Sequence, residues 1–237
     1  MRGCSVVIDC FPESVQHYRK GYAVVAIDVI RATTTAITAV ASGRRCFFSP
    51  SIDGAIYLAA CLDNPLLVGE LGGNMPYGFD LNNSPAEIAA RTDITRPMIL
   101  VSTSGTELLQ NVGRCDVGYV ACFRNYGAVI KHLIKRHSHV ALIGAGSRGE
   151  FREEDQMCCA WIADGLMKAG YTPEDERAAE VVSRWRDASV EACRLGNSAE
   201  YLRKTGQTRD LEYILTHVND LDSTFMVKQD EIVRTPA

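Results

Sequence analysis

A carboxylate, a guanidinium and several hydroxyls stand close together early in the chain, in the segment DVIRATTT. Asp28 follows an apolar run, Arg31 comes three residues later, and the threonines at 33–35 fall on the first turn of a predicted helix. Carboxylate oxygens suit Mg²⁺, while a guanidinium and a helix N-terminus suit an oxyanion. The segment therefore predicts a metal ion beside a bound anion. The alternative is that Asp28 caps the helix and the threonines only cap or pack its start.

A long irregular loop, GELGGNMPYGFDLNNSP at residues 69–85, holds a second group of acids and amides. It contains four glycines and two prolines and has no apolar period. Loops of this length in a compact domain are usually functional, so we expect Glu70 and Asp80 to reach the site. The alternative is a solvated crossover whose final asparagine or serine caps the helix that follows.

Two further polar turns follow predicted strands. In STSGT at residues 102–106, Gly105 allows the backbone to approach a phosphate, and the hydroxyls can donate to it. In GAGSRGEFREED at residues 144–155, the glycines spell the G-x-G-x-x-G pattern of dinucleotide-binding turns. That interpretation is the weaker one, because the next helix begins only near Glu154 and no second strand follows to present a ribose-binding acid. The acids at that helix start either favour the helix dipole or bind metal.

Alternating strands and helices must position these segments. Residues 22–30 form an apolar run typical of a strand covered on both faces, and residues 31–43 have helical spacing that stops at a glycine. The alternation continues with strands predicted at 46–49, 66–69, 98–102, 117–122 and 139–143, and helices at 52–62, from 106 and at 126–137. Residues 154–217 are predicted to be mostly helical, and residues 225–233 to form an edge strand.

This pattern predicts an α/β protein of three layers, α/β/α, with a largely parallel or mixed sheet and a helical C-terminal region. No linker or low-complexity run divides the chain, so we expect a single domain over residues 1–237. In sheets of this class, ligands bind beyond the carboxyl ends of the strands, where the polar segments are expected.

The composition limits the partners that we expect. The formal net charge of −4 argues against a nucleic-acid partner, because binding the phosphate backbone takes a basic face. No apolar run approaches the roughly 20 residues of a membrane span, and the first nine residues lack a signal peptide's apolar stretch. We therefore expect a cytoplasmic protein with no membrane partner, and we leave a homodimer open. The nine scattered cysteines are predicted to be small buried hydrophobic residues.

The polar segments, in this order, resemble those of the 2-phosphosulfolactate phosphatases, and the resemblance covers most of the chain. The resemblance implies Mg²⁺-dependent hydrolysis of 2-phosphosulfolactate to sulfolactate and phosphate, in coenzyme M biosynthesis or other sulfolactate metabolism. The chain differs from the family pattern at Leu71, Asn82 and Ser104, where the family has arginine, glycine and asparagine. If that arginine grips the substrate, Leu71→Arg should raise kcat/KM.

We therefore predict a phosphatase with Mg²⁺ as cofactor and a small phosphorylated acid as substrate. The predicted catalytic residues are Asp28, Arg31 and Glu70. The predicted substrate-binding residues are Thr33, Thr34, Thr35, Asn83, Ser84, Ser104, Gly105 and Thr106. The predicted metal ligands are Asp28, Glu70, Asp80, Glu154 and Asp155. Asp28 is the first candidate for either nucleophile or metal ligand, and attack by water or by a carboxylate is left open.

Two other functions remain open from the sequence. A catalytically weak member of the family would bind phosphorylated or sulfonated acids without turning them over, and Leu71 favours this alternative. A dinucleotide-dependent oxidoreductase would use the glycines of GAGSRG.

Overall fold

The computed structural model describes residues 3–134 and 136–236. Within them, the sheet is formed by β1 (Ser5–Cys10), β2 (Ala23–Ile27), β3 (Cys46–Ser49), β4 (Leu66–Gly69), β5 (Met98–Val101), β6 (Val117–Ala121), β7 (His139–Gly144), β8 (Thr172–Pro173), β9 (Phe225–Lys228) and β10 (Glu231–Arg234). The α-helices are α1 (Ala32–Ala41), α2 (Ile52–Ala60), α3 (Pro85–Ala90), α4 (Gly105–Val112), α5 (Tyr126–Leu133), α6 (Glu153–Lys168), α7 (Glu176–Trp185), α8 (Asn197–Lys204) and α9 (Thr208–Thr216). Two 3₁₀ helices span Pro12–His17 and Val190–Leu195.

The strands form one mixed sheet in the order β4-β5-β3-β10-β9-β6-β2-β7-β1-β8. The group β4-β5-β3 is parallel, and so is the group β6-β2-β7-β1-β8. The antiparallel hairpin of β9 and β10 joins the two groups. The predicted fold class, α/β with a largely parallel or mixed sheet, is confirmed.

Alternate residues of β2 face opposite layers of helices. Val25 and Ile27 pack in the core that includes side chains of α6 to α9, whereas Val24 and Ala26 pack in the core that includes side chains of α1 and α4. A strand buried on both faces needs apolar residues at every position, and β2 is buried throughout. The unbroken apolar run that predicted this strand is thus explained by its place between two helical layers.

The C-terminal strand region differs from the prediction. Residues 225–233 were expected to form one edge strand, but β9 and β10 turn back on each other and lie between β3 and β6, inside the sheet. The polar residues Gln229 and Asp230 interrupt the apolar run, and Gln229 has a positive φ of 56°, so the chain turns there. β1 and β8 were not predicted. The predicted helix at 126–137 ends at Leu133, and residues 1, 2, 135 and 237 lie outside the described part of the chain.

The hairpin also decides how the strand ends reach the site. Through its antiparallel pairings, β3, β4 and β5 run opposite to β2, β6 and β7. Adjacent strands of a sheet twist by roughly 20–25°, so the two groups turn strongly relative to each other. The loops after β2, β4, β5 and β7 line one pocket. Among the residues described, none of the helices has the length and apolar character needed to cross a membrane.

Candidate active site

A pocket of about 640 Å³ lies where these four loops meet the C-terminal helices. The loops line one side of it, and α8 lines the other. The pocket brings together residues from every polar segment of the sequence: Asp28 from the first, Glu70 and Asn83 from the second, Ser104 from the third and Asp155 from the fourth.

Asp28 lies at the N-terminal ends of two helices. Its Oδ1 accepts a hydrogen bond of 3.2 Å from the N–H of Ala32, the first residue of α1. Its Oδ2 faces Gly105, the first residue of α4, where an added Cβ would lie only 2.2 Å from that oxygen. The absence of a side chain at Gly105 therefore lets a second helix N-terminus approach the carboxylate, and both helix dipoles favour its negative charge.

Burial opposes ionisation of the carboxyl groups at this site. Burial above all, with the charges of Glu70 and Glu154, raises the pKa of Asp28 to about 7. Burial and the charge of Asp28 raise the pKa of Asp155 well above its ordinary value. Asp155 is fixed beside the end of β2, because its Oδ1 accepts a 2.8 Å hydrogen bond from the Val29 N–H. Carboxyls that share a site and have raised pKa values are typical of acid–base chemistry or of a cation site.

Glu154 is buried, but it does not line this pocket. It lines a neighbouring cavity of about 330 Å³ together with Gln156 and Arg184. Consecutive residues of a helix point about 100° apart, so Glu154 and Asp155 face different cavities although they are neighbours in α6. Burial raises the pKa of Glu154 as well, and its charge acts on Asp28. The predicted metal role of Glu154 is therefore not supported by its position.

Glu70 lines the pocket with a carboxylate that already accepts three hydrogen bonds. Oε1 accepts a 2.8 Å bond from the Thr103 N–H, and Oε2 accepts bonds from Thr103 Oγ1 at 3.0 Å and from the Gly73 N–H at 2.6 Å. These bonds tie the loop after β4 to the loop after β5. Glu70 thus fixes the shape of this side of the pocket and adds negative charge near Asp28.

Asn83 supplies an oxygen that suits a hard cation. Its side chain is buried and lines the pocket, yet its Oδ1 has no hydrogen-bond partner among the described residues. Those residues contain no group of three or more His, Cys, Asp and Glu side chains arranged to hold a metal ion. Mg²⁺ needs less than that, because it usually keeps several waters and takes one or two carboxylates plus substrate phosphates. The oxygens of Asp28, Asp155 and Asn83 fit this requirement.

Arg31 lines the pocket as one member of a buried ion pair. Its Nη1 lies 2.7 Å from Oδ2 of Asp210 in α9, and each side chain is only 4% exposed. Its guanidinium also donates to Gln207 Oε1 and Asn82 Oδ1. Asp210 therefore offsets the charge of Arg31, and less of that charge is available to a phosphate than the sequence suggested. Asp210 lies 179 residues further along the chain, so no local pattern indicates the pair.

The three threonines predicted to bind substrate do not line the pocket. Thr33, Thr34 and Thr35 donate from Oγ1 to backbone carbonyl oxygens four or five residues earlier, at 2.8, 2.7 and 3.1 Å. All three side chains are buried. The correction is that they stabilise the start of α1, which is the alternative that the sequence left open.

Of the predicted substrate-binding residues at the next two helix starts, some serve the helix start and others line the pocket. Ser84 is the N-cap of α3 and donates to Asp210 Oδ1 at 2.5 Å, and Thr106 donates to the Ser102 carbonyl at 2.7 Å, so neither lines the pocket. Ser104, the N-cap of α4, lines the pocket, and its side chain makes no capping hydrogen bond to the residues that the structure describes, which leaves its hydroxyl available for a ligand.

Asp80 is placed away from the pocket. Its side chain is exposed and accepts a 2.9 Å hydrogen bond from the Leu67 N–H in β4, and it lies 3.6 Å from Arg96. The residue belongs to the long loop, but the loop returns to the side of β4 before it reaches α3. Its position removes Asp80 from the set of metal ligands that we consider.

Several pocket residues were not nominated from the sequence. Arg148 and Arg152 lie in the segment after β7, of which only two acids were nominated, and Lys204 and Tyr201 lie in α8. The Tyr201 hydroxyl donates to the Gly73 carbonyl at 2.6 Å and joins α8 to the loop after β4. Arginines beside a glycine-rich turn were the available signal for the first two, whereas nothing local to α8 places it at the pocket.

The G-x-G-x-x-G pattern does not form a dinucleotide-binding turn. Ser147 and Glu150 bond to each other through their backbones, so the loop closes on itself, and α6 begins only at Glu153. The first turn of α6 carries three acids, which would repel the pyrophosphate that a dinucleotide places at a helix start.

Leu71 packs against the small apolar core formed with α2 rather than lining the pocket. We therefore expect Leu71→Arg to lower the free energy of unfolding by about 1 kcal/mol without raising kcat/KM, because apolar contacts are lost and no pocket contact is gained. Urea unfolding and phosphate-release kinetics would measure both, with Leu71→Met as the apolar control. A higher kcat/KM for Leu71→Arg than for Leu71→Met would restore the expectation drawn from the sequence.

Comparisons with known proteins agree on one family. The sequence profile of the family described as 2-phosphosulpholactate phosphatase matches residues 9–229. A protein of Pseudothermotoga lettingae named probable 2-phosphosulfolactate phosphatase is 38% identical over 64% of this chain and 63% of its own length, so that match spans less than two thirds of the relative. Proteins of the same name from Synechocystis sp. and Synechococcus sp. (strain JA-3-3Ab) are each 31% identical, over 81% and 90% of this chain and 83% and 86% of their own lengths.

Proposed function

The chain belongs to the 2-phosphosulfolactate phosphatase family, and on that premise we propose that it hydrolyses 2-phosphosulfolactate, or a related small phosphorylated acid, with Mg²⁺ as cofactor. As a member of this family it is a phosphoric monoester hydrolase. A cytoplasmic location, a role in coenzyme M or other sulfolactate metabolism and a homodimeric state stay predictions.

One observation carries the proposal. The carboxyl of Asp28, with a pKa of about 7, lies at the N-terminal ends of α1 and α4 and lines the same pocket as Asp155 and Asn83. Helix N-termini attract phosphate oxygens, whereas closely spaced carboxyls repel them unless a cation intervenes. A phosphate together with Mg²⁺ satisfies both features, which neither a neutral ligand nor an anion alone would do.

The chain's own residues have separable tasks in the proposed reaction. The Ser104 hydroxyl and the start of α4 offer hydrogen-bond donors for phosphate oxygens. Asp28 gains or loses a proton near neutral pH, because its pKa is about 7, and it must lose that proton before it can hold a cation. Asp28, Asp155 and Asn83 would hold Mg²⁺, which when bound supplies positive charge that stabilises the phosphoryl group.

We expect phosphate release from 2-phosphosulfolactate to require added Mg²⁺ and to stop when EDTA is present, because Arg31, whose charge acts on Asp28, is already offset by Asp210. We also expect Mg²⁺ to raise the melting temperature more at pH 8 than at pH 6. A carboxyl whose pKa is raised by folding stabilises the fold at low pH, and that contribution is lost as the pH rises through its folded pKa, here about 7 for Asp28. At pH 8 the carboxyl is therefore ionised and can bind Mg²⁺, whereas at pH 6 a proton competes with the metal. Mg²⁺ at about 100 times its Kd would add roughly 2.7 kcal/mol.

Phosphate assays and thermal denaturation, each with Mg²⁺ and EDTA arms at both pH values, test this expectation. Full activity in EDTA would remove the metal from the proposal. Binding of phosphorylated acids without phosphate release would favour the catalytically weak alternative. Stabilisation by NAD, which the loop after β7 argues against, would favour the oxidoreductase.

A further inference from the structure

The pocket carries a second charged region besides its carboxyls. Four cationic side chains line it: Arg31, Arg148, Arg152 and Lys204. Because opposite charges within hydrogen-bond distance offset each other, the cations that remain free indicate where an anionic ligand would bind.

Three of the four cations already have a partner. Arg31 pairs with Asp210 at 2.7 Å. Arg152 pairs with Glu150 at 2.7 Å, and Lys204 pairs with Glu200 at 2.6 Å. In the part of the chain that is described, the side chain of Arg148 has no ion-pair or hydrogen-bond partner, and the residue is exposed and lines the pocket.

The backbone holds Arg148 in an unusual conformation. Its φ is 53°, in the left-handed region that non-glycine residues rarely adopt, and glycines 146 and 149 beside it also have positive φ. Two backbone hydrogen bonds between Ser147 and Glu150, at 2.9 and 3.0 Å, close the loop around it. Such conformations are unfavourable for residues other than glycine and are often found at functional sites. A residue that tolerates this region more easily would suffice if the position only made a turn.

The chemistry of the proposed substrate requires such a cation. A phosphorylated acid has a carboxylate or sulfonate besides its phosphate, and the phosphate is assigned to the region around Asp28. 2-Phosphosulfolactate has both of these groups, and an acid group that leaves water for the pocket is unfavourable there without a charge-assisted hydrogen bond. A guanidinium suits this role, because its planar donors match carboxylate and sulfonate oxygens.

We propose that Arg148 binds an acid group of the substrate other than its phosphate, the carboxylate or the sulfonate of 2-phosphosulfolactate, and so restricts this enzyme to phosphorylated acids. The inference rests on the proposed function for the identity of the substrate class. It makes Arg148 a specificity-determining residue rather than part of the phosphate site.

The test compares 2-phosphosulfolactate, which has a carboxylate and a sulfonate besides its phosphate, with a phosphate ester that has neither. Arg148→Gln should raise KM for 2-phosphosulfolactate roughly tenfold to hundredfold, while kcat/KM for isopropyl phosphate, which has no acid group, stays within about twofold. Arg148→Lys should recover part of the loss, because it keeps the charge on the same loop. Arg114→Gln is the matched control, because it removes the same charge from an exposed residue beyond the end of α4. It should leave the KM and kcat/KM of both substrates unchanged.

Calorimetry with sulfolactate separates this inference from the proposed function. The parent should bind sulfolactate and Arg148→Gln should bind it at least about tenfold more weakly, whether or not any phosphate ester is hydrolysed. Equal losses on both substrates, unchanged KM for 2-phosphosulfolactate, or equal sulfolactate binding by parent and variant would each overturn the assignment of Arg148. Absence of hydrolysis with the calorimetric difference intact would overturn the proposed function alone.

Discussion

Asp28→Asn is expected to lower kcat for phosphate release by a factor on the order of 10³ while the protein stays folded. The asparagine Oδ1 can still accept the hydrogen bond from the Ala32 N–H that Asp28 accepts at 3.2 Å. The variant loses only the ionisable oxygen that faces α4. Stopped assays with saturating substrate and Mg²⁺ would give kcat, and thermal denaturation would give the melting temperature.

The melting temperature of Asp28→Asn should not fall with its activity. At pH 8 the charged Asp28 lies near Glu70, Glu154 and Asp155, so removing its charge should leave the melting temperature unchanged or raise it. Asp80→Asn is the matched control, because the same change is made at an exposed carboxylate outside the pocket. Equal loss of activity in both variants, or a large loss of stability in Asp28→Asn, would mean that Asp28 serves the helix start rather than the chemistry.

Gly105→Ala is expected to lower kcat/KM at least about a hundredfold, because a single methyl group would push α4 away from Asp28. The added Cβ would lie 2.2 Å from Asp28 Oδ2, 2.4 Å from Ala32 Cβ and 2.9 Å from Ser102 Oγ. Ala32 Cβ cannot move without α1, so the two helix starts must separate. We also expect a loss of about 1–3 kcal/mol in the free energy of unfolding, which is typical of overpacking.

The control for Gly105→Ala is the same substitution at the other end of α4. At Gly113, the C-cap of α4, an added Cβ would meet Val227 Cγ1 at 3.1 Å. This is the end of the helix opposite to Gly105 and the pocket. Gly113→Ala should therefore cost some stability and leave kcat/KM within about twofold. If both variants lose activity in proportion to stability, the close approach of α4 to Asp28 has no special role in the reaction.

The sequence determined the features that depend on neighbouring residues. Apolar runs placed β2, β3, β4, β5, β6 and β7, and helical spacing after them placed α1, α2, α4 and α5, with shifts of a few residues at their ends. The polar loops were identified for the same reason, because each loop directly follows its strand in the sequence. Asp28, Glu70, Asn83, Ser104 and Asp155 came from those loops and do line the pocket.

Only the tertiary structure decided which side chains of those loops face the ligand. Thr33, Thr34 and Thr35 turned to backbone carbonyls, and Glu154 turned away from its neighbour Asp155, because a rotation of about 100° per helical residue decides which cavity each one meets. The insertion of β9 and β10 between β3 and β6 likewise depends on pairings between distant residues.

The tertiary structure also decided which charged side chains of the pocket are paired and which are free. The charge of Arg31 is offset by Asp210, which is 179 residues away, whereas Arg148 has no ion-pair partner among the described residues, because the Glu150 carboxylate of its own loop pairs with Arg152. The sequence alone shows which charged residues follow each strand, and it was sufficient to predict that acids and cations gather at the strand ends of this protein. Which of them remain free to bind a ligand depends on contacts between α8, α9 and the strand loops, and those contacts form only when the whole chain has packed.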